Sequence, residues 1–192
     1  MAVLSIDAGT TGVTALVVDI DGQIISKSHT EFPQHFPRSG WVEHDPEEIW
    51  QATLKSAKQA VDAAGTTPTA LGITNQRETV VLWDKDTLRS PRNAIVWQDR
   101  RSSNLVLDIR NSGVEEEVRR KTGLGLDPYF SSSKLLWIAK NEPEIWSGVT
   151  SGQVLFGTVD SYLVARLTSG RRHVTDASNA SRTQLMDITS GT

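Results

Sequence analysis

Cysteine is absent from the 192 residues. That excludes disulfides and thiolate-bound metals, and it accords with a reducing, cytoplasmic setting. An excess of one charge is also missing: 20 Lys and Arg stand against 23 Asp and Glu, a net charge of −3. Such a balance leaves no basic footprint for nucleic acid or an anionic membrane. The basic clusters Arg100-Arg101, Arg119-Arg120-Lys121 and Arg171-Arg172 are short and interleaved with acids, and they read as solvated helix faces and turns. The first apolar run has no basic segment before it and stops at Asp7, so neither a signal peptide nor a spanning helix is expected. The four histidines, His29, His35, His44 and His173, are scattered without metal-ligand spacing. No G-x-x-x-x-G-K-[ST] phosphate loop occurs.

The length suits one domain, or one domain with an incomplete second. Residues 2–7 predict a short buried strand, and 13–19 a second. Between them lies Asp7-Ala8-Gly9-Thr10-Thr11-Gly12, a turn whose two glycines are able to take positive φ. Asp21-Gly22 is a two-residue hairpin signal, with 23–30 as the returning strand. The chain therefore opens with three antiparallel strands, not with a βαβ unit. Residues 31–44 are irregular. Asp45 is a helix N-cap, Pro46 the first helical residue and Glu48 the partner of a capping box. Trp50, Leu54, Ala57, Val61 and Ala64 supply the apolar stripe of that helix, and Gly65 ends it. Further strands are expected at 69–75, 80–83, 154–156 and 172–175, with a short apolar run at 93–98. Helices are expected near 99–111, 114–121, 133–141 and 158–167. The class is α/β, with no internal repeat.

Two motifs carry chemistry. In Gly72-Ile73-Thr74-Asn75-Gln76-Arg77-Glu78-Thr79 an Arg–Glu pair follows a β-type run. Donors on Arg77 and acceptors on Glu78 suit a neutral polyhydroxyl compound, and a surface ion pair is the plainer alternative. The Asp7–Gly12 turn combines backbone N–H groups and threonine hydroxyls in a cradle for phosphate oxygens, with Asp7 placed to hold a hydrated Mg²⁺.

Read together, the strand–turn–strand–hairpin opening resembles the actin- and hexokinase-like ATPases, whose fold is ribonuclease H-like. With the octapeptide added, the chain resembles the FGGY carbohydrate kinases, and among them the glycerol kinases. Gly40-Trp41-Val42-Glu43-His44-Asp45-Pro46, Asn93-Ala94-Ile95-Val96-Trp97-Gln98 and Asp127-Pro128-Tyr129-Phe130-Ser131 extend the likeness. Leu155-Phe156-Gly157-Thr158-Val159-Asp160 and His173-Val174-Thr175-Asp176 with Asn179-Ala180-Ser181-Arg182-Thr183 complete it in order.

The resemblance implies ATP-dependent phosphorylation of glycerol to sn-glycerol 3-phosphate. It implies that Arg77 and Glu78 hydrogen-bond glycerol hydroxyls, that Tyr129 contacts the polyol and that Trp97 packs on its carbons. Thr10 counts on the substrate side as well. Thr10, Thr11 and the Gly12 backbone would meet nucleotide phosphates, with Asp7 near Mg²⁺. Three positions depart from the usual pattern: Ala8 replaces Gln, Gly12 replaces Ser and Thr14 replaces Arg. The family's catalytic aspartate lies in a Gly-Asp-Gln segment that these residues lack. The expectation is thus an incomplete substrate-side N-terminal domain over 1–192, inactive alone, without the C-terminal ATP-binding domain and compatible with homo-oligomers. Another FGGY sugar or polyol kinase (pentose, gluconate) and a non-catalytic binding or regulatory protein derived from a kinase lobe are the alternatives.

Overall fold

A computed structural model describes residues 1–192. In chain order the elements are β1 (Ala2–Ala8), β2 (Gly12–Asp19), β3 (Ile24–Glu31), β4 (Glu43–His44), α1 (Pro46–Ala64), β5 (Ala70–Asn75), β6 (Val81–Asp84) and β7 (Ala94–Ile95). There follow α2 (Ser103–Asn111), α3 (Glu115–Thr122), α4 (Ser131–Asn141), α5 (Pro143–Thr150), β8 (Val154–Gly157), α6 (Val159–Leu167) and α7 (Ala177–Ala180). They divide into two compact units, Met1–Gln34 with His44–Gln76, and His35–Glu43 with Arg77–Thr192. No helix is long and apolar enough to cross a membrane.

The first unit is a four-stranded sheet in the order β3-β2-β1-β5. The β1–β2 and β2–β3 pairs are antiparallel, as the three-strand opening predicts, and β5 adds to β1 in parallel. The hairpin after β2 is longer than two residues. Ile20–Gln23 forms it, with Gly22 at φ 81° and the Asp19 carboxylate accepting from the Asp21 and Gln23 N–H groups. Alternation places Ile6, Ala8, Val13, Ala15 and Val17 on the buried face.

Helix α1 begins as its caps predict: Asp45 accepts from the Glu47 N–H, Pro46 is the first helical residue, and Gly65 closes the helix at φ 60°. Its buried seam differs from the expected stripe. Ile49, Ala52, Thr53, Ser56 and Ala60 face inward, while Leu54 is exposed and Trp50, Ala57, Val61 and Ala64 are half-buried. Small residues win because the helix lies close to the sheet. Ser56 Oγ donates to the Val13 carbonyl at 3.0 Å, and Ser26 Oγ to the Ala60 carbonyl at 2.6 Å.

In the second unit β6 and β8 pair antiparallel, and Val80 bridges to Ile95. Val80, Leu82, Ile95, Leu135 and Ile138 form its core, with Trp137, Trp146 and Phe156 packed on the margin. Helix α2 starts later than expected, because Asp99 accepts from the Val42 and Arg101 N–H groups and fixes a turn before it. Helix α5, which has Pro143 at its first turn, was not among the expected elements. No strand forms over 172–175. There the ladder is replaced by side-chain bonds: Ser161 Oγ donates to the Val174 carbonyl, and the His173 Nε2 lies 2.9 Å from the Phe156 carbonyl. Arg101 is not a solvated residue either. Its side chain is 1% exposed, bonded to Asp99 and Glu43 at 2.8 and 2.7 Å, with its guanidinium 3.7 Å from the Trp41 ring centroid. A bare guanidinium at that depth would be strongly disfavoured; two carboxylates and an aromatic face hold it and pin the 35–43 segment.

Candidate functional site

The second unit gathers Glu78, Trp97, Tyr129 and Arg182. Glu78 is 2% exposed, and its carboxylate accepts from Arg182 Nε at 2.6 Å. Its backbone sits at φ 64°, the left-handed region that costs a non-glycine residue about 1 kcal/mol or more. Two contacts hold it there, the Arg182 bond and the Ser131 Oγ–H donated to the Glu78 carbonyl at 3.0 Å. The Trp97 and Tyr129 rings meet edge to face with centroids 5.6 Å apart. The Arg182 guanidinium lies 5.6 Å from the Tyr129 centroid and 5.2 Å from that of Phe130. The hydrogen bond to Glu78, chiefly, raises the Arg182 pKa above its ordinary value.

Arg77 and Glu78 are therefore not an ion pair with each other. Arg77 is exposed, and Glu78 takes a partner 104 residues away in sequence. Sequence reasoning missed Arg182 as a site residue. The signal was its place in the Asn179-Ala180-Ser181-Arg182-Thr183 stretch that carried part of the resemblance.

Tyr129 is set by its neighbours. Asp127 Oδ1 accepts from the Tyr129 N–H at 2.8 Å, an Asx turn that follows from the Asp-Pro-Tyr order. Lys134, fully buried, aims Nζ at the carbonyls of Pro128 and Tyr129 at 2.7 and 2.6 Å. Burial pushes its pKa down to about 7, against the carboxylates of Asp99 and Glu78, which favour the ammonium. The backbone N–H of Trp97 donates to Thr79 Oγ1 at 3.2 Å, tying the aromatic residue to the neighbour of Glu78. The result is a half-buried aromatic surface beside a charged, hydrogen-bonding carboxylate. Aromatic faces cover C–H groups while the carboxylate accepts from hydroxyls.

The first unit carries Asp7, Thr10, Thr11 and Gly12 in the turn from β1 to β2. Neither glycine takes positive φ. Gly12 is required for another reason: a Cβ there would stand 2.7 Å from the Thr30 carbonyl oxygen. The Gly9 N–H closes the turn on the Gly12 carbonyl at 3.0 Å. The octapeptide braces it, since the Gln76 N–H donates to the Ala8 carbonyl at 2.8 Å and Gln76 Nε2 to the Gly9 carbonyl at 3.1 Å. Asp7 is an exposed carboxylate at the strand end, and no cluster of three His, Cys, Asp or Glu side chains surrounds it. That donor set is too small for a protein-held metal. It fits Mg²⁺, which keeps several waters and binds through one or two carboxylates and substrate phosphates.

The profile of the FGGY family of carbohydrate kinases, N-terminal domain, matches residues 2–192. The chain is 49% identical to a glycerol kinase of Nitrobacter hamburgensis, over 98% of its own length and 38% of the relative's. It is 49% identical to glycerol kinase 2 of Thermotoga maritima, over 97% of its length and 38% of that protein. Among solved structures, the glycerol kinase of Plasmodium falciparum with ADP superposes with a TM-score of 0.95 and 35% identity, over 100% of this chain and 38% of that one. The chain thus spans well under half the length of these relatives. On the match of residues 2–192, the chain belongs to the FGGY family of carbohydrate kinases.

Proposed function

We propose that this chain is the substrate-side, N-terminal domain of an ATP-dependent glycerol kinase. The observation that carries the reading is the Glu78 carboxylate, buried, held at positive φ and bonded to Arg182 beside the Trp97–Tyr129 edge. Strain of this kind persists where the surroundings over-determine it, and it concentrates at ligand sites. The named activity of the relatives supports glycerol as the polyol.

In this reading Glu78 accepts hydrogen bonds from hydroxyls, and Arg182 fixes its carboxylate in place. Tyr129 and Trp97 cover the C–H edge of the polyol. Arg77, whose guanidinium is exposed, donates to a substrate oxygen. Thr10, Thr11 and the Gly12 backbone receive phosphate oxygens. Mg²⁺ held by Asp7 would neutralise phosphate charge. Orientation is the main contribution such residues make, because phosphoryl transfer depends on in-line placement and charge stabilisation. For the 192 residues themselves the proposal is polyol binding. Phosphoryl transfer is proposed for a protein of the relatives' length, in a reducing cytoplasm.

Calorimetric or NMR titration of wild type and Arg77→Ala with glycerol tests this. Loss of one charge-assisted bond should weaken glycerol binding about tenfold. Because Arg77 is exposed, the melting temperature should stay unchanged. Equal glycerol affinity in the two proteins would remove Arg77 from the site. Tighter binding of xylulose or gluconate than of glycerol would reassign the substrate within the family.

A further inference from the structure

Strand register places three polar side chains in one row across the first unit's sheet. Asp7 lies opposite Thr14 in the β1–β2 pair, and Thr14 lies opposite His29 in the β2–β3 pair. Thr74 of β5 continues the row on the other side of Asp7. Ile6, Ala8, Val13 and Ala15, the neighbours of Asp7 and Thr14 along their strands, are buried, so the row occupies the opposite face. Asp7 and His29 are exposed there, and Thr14 is half-buried.

The imidazole is both oriented and aimed. His29 Nδ1 and Thr14 Oγ1 are 2.9 Å apart. With the threonine hydroxyl donating to Nδ1, the proton of the neutral ring sits on Nε2. That edge reaches the turn: a Cβ on Gly12 would stand 2.8 Å from His29 Cε1 and 2.9 Å from Nε2. Glycine at position 12 therefore leaves the space that the ring fills. Nε2–H has no hydrogen-bond partner in the protein. The row holds a carboxylate, two hydroxyls and this one nitrogen donor. An anion seated on the Thr10–Thr11–Gly12 backbone has the Nε2–H within the same patch.

We infer that His29 is a phosphate-binding residue of the glycine turn, donating from Nε2–H to a phosphate oxygen of a nucleoside triphosphate, with Thr14 holding the ring for that bond. The inference rests on the reading of the turn as a phosphate cradle. It adds a residue from β3, outside the turn motif, and a positioning role for Thr14.

The test uses the isotopically labelled 192-residue chain, titrated with Mg²⁺ and the non-hydrolysable triphosphate AMPPNP. Amide signals of Thr10, Thr11 and Gly12 and the imidazole nitrogens of His29 are followed together. Wild type should shift both sets with one binding curve. His29→Ala should bind about tenfold more weakly, the loss expected for one hydrogen bond to a charged group, and His29→Arg should restore affinity. Thr14→Val should weaken binding a few-fold and broaden the His29 ring signals. Melting curves of the His29 variants should overlay wild type, because the residue is exposed. Shifting turn amides with equal affinity in His29→Ala would overturn the assignment of His29 and leave the phosphate turn standing. Silent turn amides in wild type would overturn both.

Discussion

Replacing Arg182 by methionine leaves the Glu78 carboxylate buried without its partner. Removing one member of a fully buried pair costs about 3–5 kcal/mol. Here Glu78 is 2% exposed but Arg182 is 31% exposed, so water reaches the vacated side and the expected cost falls to about 2–3 kcal/mol. For a chain of this size each kcal/mol lowers the melting temperature by roughly 2–4 °C, so Arg182→Met should melt about 5–10 °C below wild type. Glu78→Gln keeps the shape and an acceptor while removing the charge. In the double variant the unpaired carboxylate is gone, and the combined loss should fall short of the sum of the single losses by roughly 1.5–3 kcal/mol. Urea unfolding of the four proteins at one pH supplies the cycle. Additive losses, or an Arg182→Met melt within 1 °C of wild type (about the error of the measurement), would refute the claim that this bond holds the site together.

Three further outcomes follow from the same geometry. Because Glu78 sits at φ 64°, Glu78→Gly should be more stable than Glu78→Ala by about 1 kcal/mol in urea unfolding, the reverse of the usual order. Burial lowers the folded-state pKa of Lys134 to about 7, while in the unfolded chain it stays near its ordinary 10.5. The unfolded state binds the extra proton between those values, so Lys134 makes stability rise with pH from about 7 towards 10; urea melts at pH 6 to 9 should show that rise in wild type and its loss in Lys134→Met. A Cβ on Gly12 would meet the Thr30 carbonyl oxygen at 2.7 Å, whereas one on Gly72 meets nothing within 4 Å, so Gly12→Ala should cost about 1–3 kcal/mol and Gly72→Ala nothing measurable by thermal melt.

What the sequence disclosed was local. The hairpin opening, the Asp45-Pro46 start of α1 and its Gly65 stop follow from turn and cap chemistry, which a few adjacent residues encode. The phase of α1 was hidden, because its buried side is chosen by how closely the sheet approaches: Ser56 and Ala60 fit under β2 and β3 where Trp50 and Leu54 do not. The strand expected at 172–175 failed for a similar reason, since side chains from α6 and the His173 ring satisfy backbone groups that propensity assigns to a ladder. In the candidate site, Glu78, Trp97 and Tyr129 stood out by residue type and motif. The bond from Arg182 did not, because a 104-residue separation and a positive φ are tertiary facts. Arg101 shows the converse: a charge pair that reads as surface becomes a buried anchor once Trp41, Glu43 and Asp99 close around it.

The most direct test is an amide and indole NMR titration of the 192-residue chain with glycerol. Saturable shifts are expected, centred on Glu78, the Trp97 indole, Tyr129 and Arg182, with glycerol affinity about tenfold lower in Glu78→Gln. Saturable shifts that avoid these residues, or none up to a concentration that saturates ordinary polyol sites, would contradict the proposed site.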